Sequence, residues 1–192
     1  MVIEVEQKQY TRKEYLALEA KAPYKSEYHD GKIIPMTGGT TDHNRIVINL
    51  CSYLNFALKQ QNAEVFAGDV RLWIPSYNIY AYPDVMVIKG EPIYEGENKT
   101  TVTNPLMIVE VLSQSTSSYD RGNKFRYYRS LPSLQEYILI DQYSYSVEQY
   151  IKNSQKQWFL SEYEKSNSFI VFNSIAGELI VKDVYERVTF AK

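Results

Sequence analysis

Two carboxylates stand where an ionised group needs a reason. Asp84 opens the run Tyr82-Pro83-Asp84-Val85-Met86-Val87-Ile88, and Glu110 follows 26 residues later inside Leu106-Met107-Ile108-Val109-Glu110-Val111-Leu112. Both runs read as strongly apolar strands, in which an unpartnered charge costs several kcal/mol. A divalent cation held between the two is one answer, because Mg²⁺ takes hard oxygen ligands and commonly uses one or two carboxylates with waters and substrate phosphates. The plainer answer is that Asp84 caps a turn and Glu110 pairs with an arginine such as Arg71 or Arg126. Spacing alone leaves both open.

A second group lies in Tyr119-Asp120-Arg121-Gly122-Asn123-Lys124-Phe125-Arg126-Tyr127-Tyr128-Arg129, the most basic stretch of the chain. Asp120, Lys124 and Tyr128 recur at intervals of four and share one helix face. Arg121, Arg126 and Arg129 make a local phosphate patch, or else simply a solvated surface. Glu27 and His43 form a third pair of candidates. His43 opens a helix in line with Ile46, Val47 and Leu50, where a histidine is either a satisfied structural residue or a proton-handling one. His29 and Asp30 read as turn residues. Gly38-Gly39 lacks the following Gly-Lys-Ser/Thr, and neither Gly-x-Gly-x-x-Gly nor Gly-x-Ser-x-Gly occurs, which disfavours common nucleotide-binding folds and the hydrolase elbow.

The elements that must position these groups follow from periodicity and turn chemistry. Thr11 with Glu14 predicts a capping box for a first helix ending before Pro23. Asp30-Gly31 predicts a tight hairpin between two short strands in 24–36. Ile46, Leu50, Leu54 and Leu58 mark a helix over about 41–60. Strands are expected near 64–66, 70–74, 84–88 and 106–112, then a helix over 118–130 and a strand at 136–140. Strand, helix, strand at this spacing is a crossover, so the strands at 106–112 and 136–140 should be parallel in one sheet. Four alternating segments between 146 and 181 read as hairpins extending or covering that sheet. The class is α/β with antiparallel hairpins on the N-terminal side and in the C-terminal third.

The 192 residues carry no internal repeat or linker and read as one domain, 1–192, with its core over about 10–185. One cysteine, Cys51, excludes an intramolecular disulfide and a Cys-rich zinc site. No leader pattern is visible at residues 1–6 and no run of 18 apolar residues exists, so a cytoplasmic protein without membrane partners is expected. A net charge of −2 means that any nucleic-acid contact must be local. The 18 tyrosines suit packing and base stacking alike.

Taken in order, Glu27 before Asp30-Gly31, His43 opening a helix, Pro83-Asp84-Val85, Glu110-Val111-Leu112-Ser113, Asp120 with Lys124 and Tyr128, and Glu136-Tyr137 with Asp141 resemble the Uma2 family of restriction-endonuclease-like proteins, within the PD-(D/E)XK nuclease superfamily. The resemblance spans about residues 10–185. It implies a restriction-endonuclease-like mixed sheet flanked by helices, Mg²⁺ or Mn²⁺ held by Asp84 and Glu110, and hydrolysis of phosphodiester bonds with DNA as substrate. Glu27 and His43 then belong to the catalytic set, Asp120 and Tyr128 support it, and Arg121, Arg126 and Arg129 contact nucleic acid. The superfamily's lysine falls two residues after the glutamate, where this chain has Leu112. Either Lys124 supplies that ammonium from the adjoining helix, or the chain is a catalytically inactive nucleic-acid- or protein-binding module on the same fold. Cutting both strands of a duplex would suit a homodimer.

Overall fold

The computed structural model describes residues 8–190, so the residues 1–6 examined for a leader lie outside it. The expected capping box forms: the Thr11 hydroxyl accepts from the Glu14 N–H, and the Glu14 carboxylate accepts from the Thr11 N–H, starting helix α1 (Arg12–Glu19). Asp30 and Gly31 take the positive φ angles of a tight turn (44° and 96°), folding β1 (Ser26–His29) onto β2 (Lys32–Pro35). Helix α2 (Thr41–Ala57) follows, and buries Ile46, Leu50 and Leu54.

Beyond α2 come β3 (Ala63–Ala67), β4 (Arg71–Ile74), β5 (Ile79–Ala81), β6 (Val85–Lys89), β7 (Thr101–Val102) and β8 (Met107–Leu112). The single sheet expected here is in fact two. One has the order β2-β1-β5-β4-β7. The other has the order β11-β10-β9-β8-β6-β3, its later strands being β9 (Glu136–Asp141), β10 (Val147–Lys152) and β11 (Trp158–Tyr163). The division has a local cause. Asn78, left-handed at φ 54°, ends the turn that folds β4 back on β5, and Pro83, which has no N–H to give a ladder, carries the chain from the first sheet into the second. Asp84 therefore sits at the junction of the two sheets.

Within the six-stranded sheet β8 and β9 are parallel, as the crossover requires, and β6 is antiparallel to β8. Alternate residues serve two cores. Val85, Val87, Val109, Val111, Ile138 and Ile140 pack beneath α2. On the opposite face Met86, Ile88, Ile108, Leu112, Tyr137 and Leu139 pack with Phe125, Tyr128 and Leu131.

Those last residues come from a segment expected to be one regular helix over 118–130. It is instead a short turn Ser117–Tyr119, a π-helical turn Asp120–Lys124 and a final turn Phe125–Tyr128. Gly122 and Asn123 are weak helix formers and leave the wider turn cheap to adopt.

The hairpin β10–β11 extends the sheet as expected, while β12 (Phe169–Val171) and β13 (Glu178–Ile180) form a separate two-stranded ribbon. Glu136, fully buried, ties that ribbon down: its carboxylate accepts from the Gln149 amide, the Asn173 N–H, and the Ser174 N–H and hydroxyl. Glu136→Ala would leave these donors unpaired and should cost about 3 kcal/mol. Urea unfolding checks this, and an unchanged midpoint would contradict the anchor. No helix among the described residues is long and apolar enough to cross a membrane.

Candidate active site

Register brings the two carboxylates together. Val85 lies opposite Val109 and Met86 opposite Ile108, so one further step sets Asp84 opposite Glu110. Met86 and Ile108 face the helical segment 117–128, and by the two-residue period of a strand so do Asp84 and Glu110. The helical segment starts a few residues after β8 ends and lies across this face.

Glu110 is only 2% exposed, and neither arginine suggested as its partner reaches it. Arg71 donates to the Thr100 and Thr101 hydroxyls, and Arg126 to the Tyr77 hydroxyl. Glu110 Oε1 instead accepts from the Tyr128 hydroxyl at 2.7 Å and from Lys124 Nζ at 2.9 Å. Lys124 Nζ also lies 3.5 Å from Asp120 Oδ1, using the four-residue spacing across the π turn. Leu112 holds the strand position two residues beyond Glu110 and is buried in the apolar core beside Phe125.

Asp84 Oδ2 accepts from the Val111 N–H at 2.8 Å and pairs with His43 Nε2 at 3.2 Å. The Thr40 hydroxyl, accepting from the His43 N–H, starts α2 so that His43 points back to the sheet junction. Among the described residues, Asp84 Oδ1 and Glu110 Oε2 make no hydrogen bond. Each carboxylate thus keeps one oxygen without a hydrogen-bond partner.

Glu27, which could have been a surface residue, is 8% exposed. Its Oε1 accepts from the Tyr82 N–H at 3.3 Å and its Oε2 pairs with His29 Nε2 at 2.8 Å. His29 is not a turn residue but the last residue of β1, and its Nδ1 faces the Tyr119 hydroxyl at 3.5 Å. Sequence reasoning missed it. The available signal was position, since residues two apart on a strand share a face, and Glu27 and His29 are two apart.

Burial is the largest influence on Glu110 and raises its proton affinity well above the ordinary carboxylate value; Asp84 and Asp120 add to this, and Lys124 opposes it. Burial also disfavours the Lys124 ammonium, but Glu110, Glu27 and Asp120 outweigh it and hold the amine well above its usual range. Lys124 is a fixed cation, then, and no general base. Burial pushes Glu27 up, yet the His29 bond and Lys124 bring it below normal. At Asp84, too, burial is outweighed, by the His43 bond, Lys124 and the Val111 N–H, and the group is lowered.

The Asp84 bond raises His43 despite the opposing effect of its burial. The pair therefore contributes fully to stability above about pH 3.9 and below about pH 6.5, the ordinary aspartate and histidine values. On the acid side the contribution is lost as Asp84 protonates at its lowered value, and on the alkaline side as His43 gives up its proton at its raised one. In metal-free Asp84→Asn protein, NMR should find His43 titrating at a lower pH than in the wild type. An unchanged titration would contradict the pairing.

The three arginines take different partners. Arg121 is paired with Glu148 at 2.7 Å, Arg126 turns to Tyr77, and Arg129 lies over the Phe125 ring. Among the described residues, no three His, Cys, Asp or Glu side chains converge into a ready metal cluster.

The sequence profile described as "Putative restriction endonuclease", that of Uma2, matches residues 12–181. Two Synechocystis relatives, the uncharacterized proteins sll1609 and slr1290, are 43% and 34% identical over 90% and 92% of this chain, covering 98% and 92% of their own lengths. A crystal structure described as a "putative nuclease belonging to DUF820", from Anabaena variabilis, superposes with a TM-score of 0.75 over 94% of this chain and 99% of that one, at 23% identity. The mixed α/β architecture is thus one already seen in a solved structure.

Proposed function

The chain belongs to the Uma2 family, and from that premise we propose that it is a divalent-metal-dependent endonuclease hydrolysing phosphodiester bonds in DNA. One observation carries the reading: Asp84 and Glu110 oppose each other in register, each with one oxygen free of hydrogen bonds, and Lys124 Nζ stands 2.9 Å from Glu110. Two hard carboxylate oxygens with no sulfur ligand suit Mg²⁺ or Mn²⁺, which keep most of their shell for waters and phosphate. Such an ion, when bound, lowers the pKa of an attacking water and offsets phosphate charge.

The chain's own residues do the rest. Lys124 donates to the scissile phosphate and stabilises the charge that grows there in the transition state. Asp120 and Glu110 position its ammonium, and Tyr128 fixes the Glu110 carboxylate. His43 and the Val111 N–H occupy Asp84 Oδ2, which leaves Oδ1 for a cation. Both Glu27 oxygens are engaged, so Glu27 acts on the site through water. Arg121, Arg126 and Arg129 contact flanking phosphates, and a homodimer would present two such sites to the two strands.

Leu112 at the strand position favours a second reading, a binding module that keeps the fold without the reaction. Incubating purified protein with supercoiled plasmid and single-stranded circles, in Mn²⁺, Mg²⁺ and EDTA, separates the two. Nicking that EDTA abolishes is the expected result; binding without nicking in either metal would favour the module.

A further inference from the structure

We propose that His29, Tyr77, Tyr119 and Tyr127 form a stacking platform for unpaired nucleobases, so that the DNA beside the scissile phosphate is engaged as a single strand. The platform's place relative to the chemistry rests on the nuclease reading above; its ligand class rests on the rings themselves.

Three elements bring these rings together. His29 ends β1, Tyr77 lies in the turn between β4 and β5, and Tyr119 and Tyr127 belong to the helical segment. Tyr77 and Tyr127 have centroids 4.8 Å apart, and His29 lies 6.2 Å from both Tyr119 and Tyr127. The two loops are locked to each other, since the Asp30 N–H donates to the Asn78 carbonyl and the Asn78 amide donates to the Asp30 carboxylate. The platform is therefore built in advance of any ligand.

Its rings differ from the other large tyrosine groups in the fold. Tyr15, Tyr28, Tyr80, Tyr128 and Tyr137 are buried, and Phe125 and Tyr137 lie face to face at 5°. The four platform rings are only half-buried and meet at steep angles: 55° for Tyr77 with Tyr127, 77° for His29 with Tyr127 and 62° for Tyr119 with Tyr127. Rings inclined to one another, unlike the parallel Phe125–Tyr137 pair, leave part of their faces for another π system, and Arg126 lies over the Tyr77 ring at 5.8 Å. Beside them, exposed Arg126 donates to the Tyr77 hydroxyl at 3.3 Å and has no carboxylate partner among the described residues. Aromatic faces beside an unneutralised cation are what a single strand requires of a protein, whereas a duplex keeps its base faces stacked inside.

The platform adjoins the site through one covalent neighbour and one hydrogen bond. Tyr119 precedes Asp120, which holds Lys124, and His29 pairs with Glu27. A phosphate at Lys124 would place the next bases on these rings.

Tyr77 and Tyr127 also pack against the core, so the test must separate stacking from folding. Fluorescence anisotropy on the full chain in EDTA compares a labelled oligothymidylate with a duplex of equal length, alongside thermal unfolding of each variant. Tyr77→Ala and Tyr127→Ala should each weaken single-strand binding about tenfold or more, with duplex binding altered less than about twofold, and Tyr127→Trp should keep single-strand affinity. Should an alanine variant unfold, Tyr127→Trp against Tyr127→Leu decides, since leucine fills space without a π face. Equal losses on both DNA forms, no loss on the single strand, a leucine variant as tight as the tryptophan one, or a wild type that does not bind the single strand would each overturn the platform. If the wild type nicks DNA while these variants bind unchanged, the platform fails and the nuclease reading stands. If nothing is nicked but single-strand binding follows the rings, the reverse holds.

Discussion

Lys124→Met should lower the DNA cleavage rate by about 10²–10³ at saturating Mn²⁺, the usual cost of losing one well-placed charge stabiliser, while leaving DNA affinity largely intact. The ammonium is a single contact among many for the bound strand, but it is the one cation set between Glu110 and Asp120. Removing a buried cation from its carboxylates commonly costs about 3–5 kcal/mol. Here the loss should be smaller, because Glu110, whose proton affinity burial already raises, can neutralise itself by taking a proton. The variant should therefore fold, and single-turnover cleavage reads the chemistry directly. Adding Leu112→Lys would return an ammonium to the strand face occupied by Glu110 and should recover part of the rate. A Lys124→Met protein that cleaves within a few-fold of wild type would remove Lys124 from the mechanism.

Asp84→Asn and Glu110→Gln should each weaken Mn²⁺ binding at least tenfold, about 1.4 kcal/mol, and abolish cleavage without loss of the fold. The two carboxylates oppose each other across β6 and β8, and the charge on Asp84 is among the influences that raise Glu110. Neutralising Glu110 thus relieves repulsion even as it removes a ligand. Because burial raises the proton affinity of Glu110 and a cation binds only its ionised form, wild-type Mn²⁺ affinity should go on rising with pH beyond the point at which ordinary carboxylates are fully ionised. Calorimetry at several pH values measures both effects. Wild-type affinity in both variants would sink the assignment.

The residues at the centre of the candidate site were legible because apolar strands make charges conspicuous. Asp84 and Glu110 stood out against valine, isoleucine and leucine neighbours, and a basic helix beginning just after β8 had to pass near that strand's end. Asp30-Gly31 and the stripe of Ile46, Leu50 and Leu54 likewise announced the hairpin and α2. The division into two sheets was not legible. The three-residue β5 and two-residue β7 are too short to show a period, and only tertiary pairing tells them from loop. The π turn was hidden for a related reason: Asp120, Lys124 and Tyr128 keep helical spacing through it, and Gly122-Asn123 was the sole local hint. Glu136 was noticed only as part of a motif, since its partners at 149, 173 and 174 lie in segments that meet it only when the C-terminal ribbon docks.

On the proposed function, Asp84 and Glu110 share one divalent cation. Crystals grown with Mn²⁺ and measured at the manganese absorption edge test it most directly. One anomalous peak per chain, at about 2.1–2.2 Å from an oxygen of each carboxylate, is the predicted result. Full ordering of both side chains with no peak between them at saturating Mn²⁺, Lys124 still closed on Glu110, would contradict it.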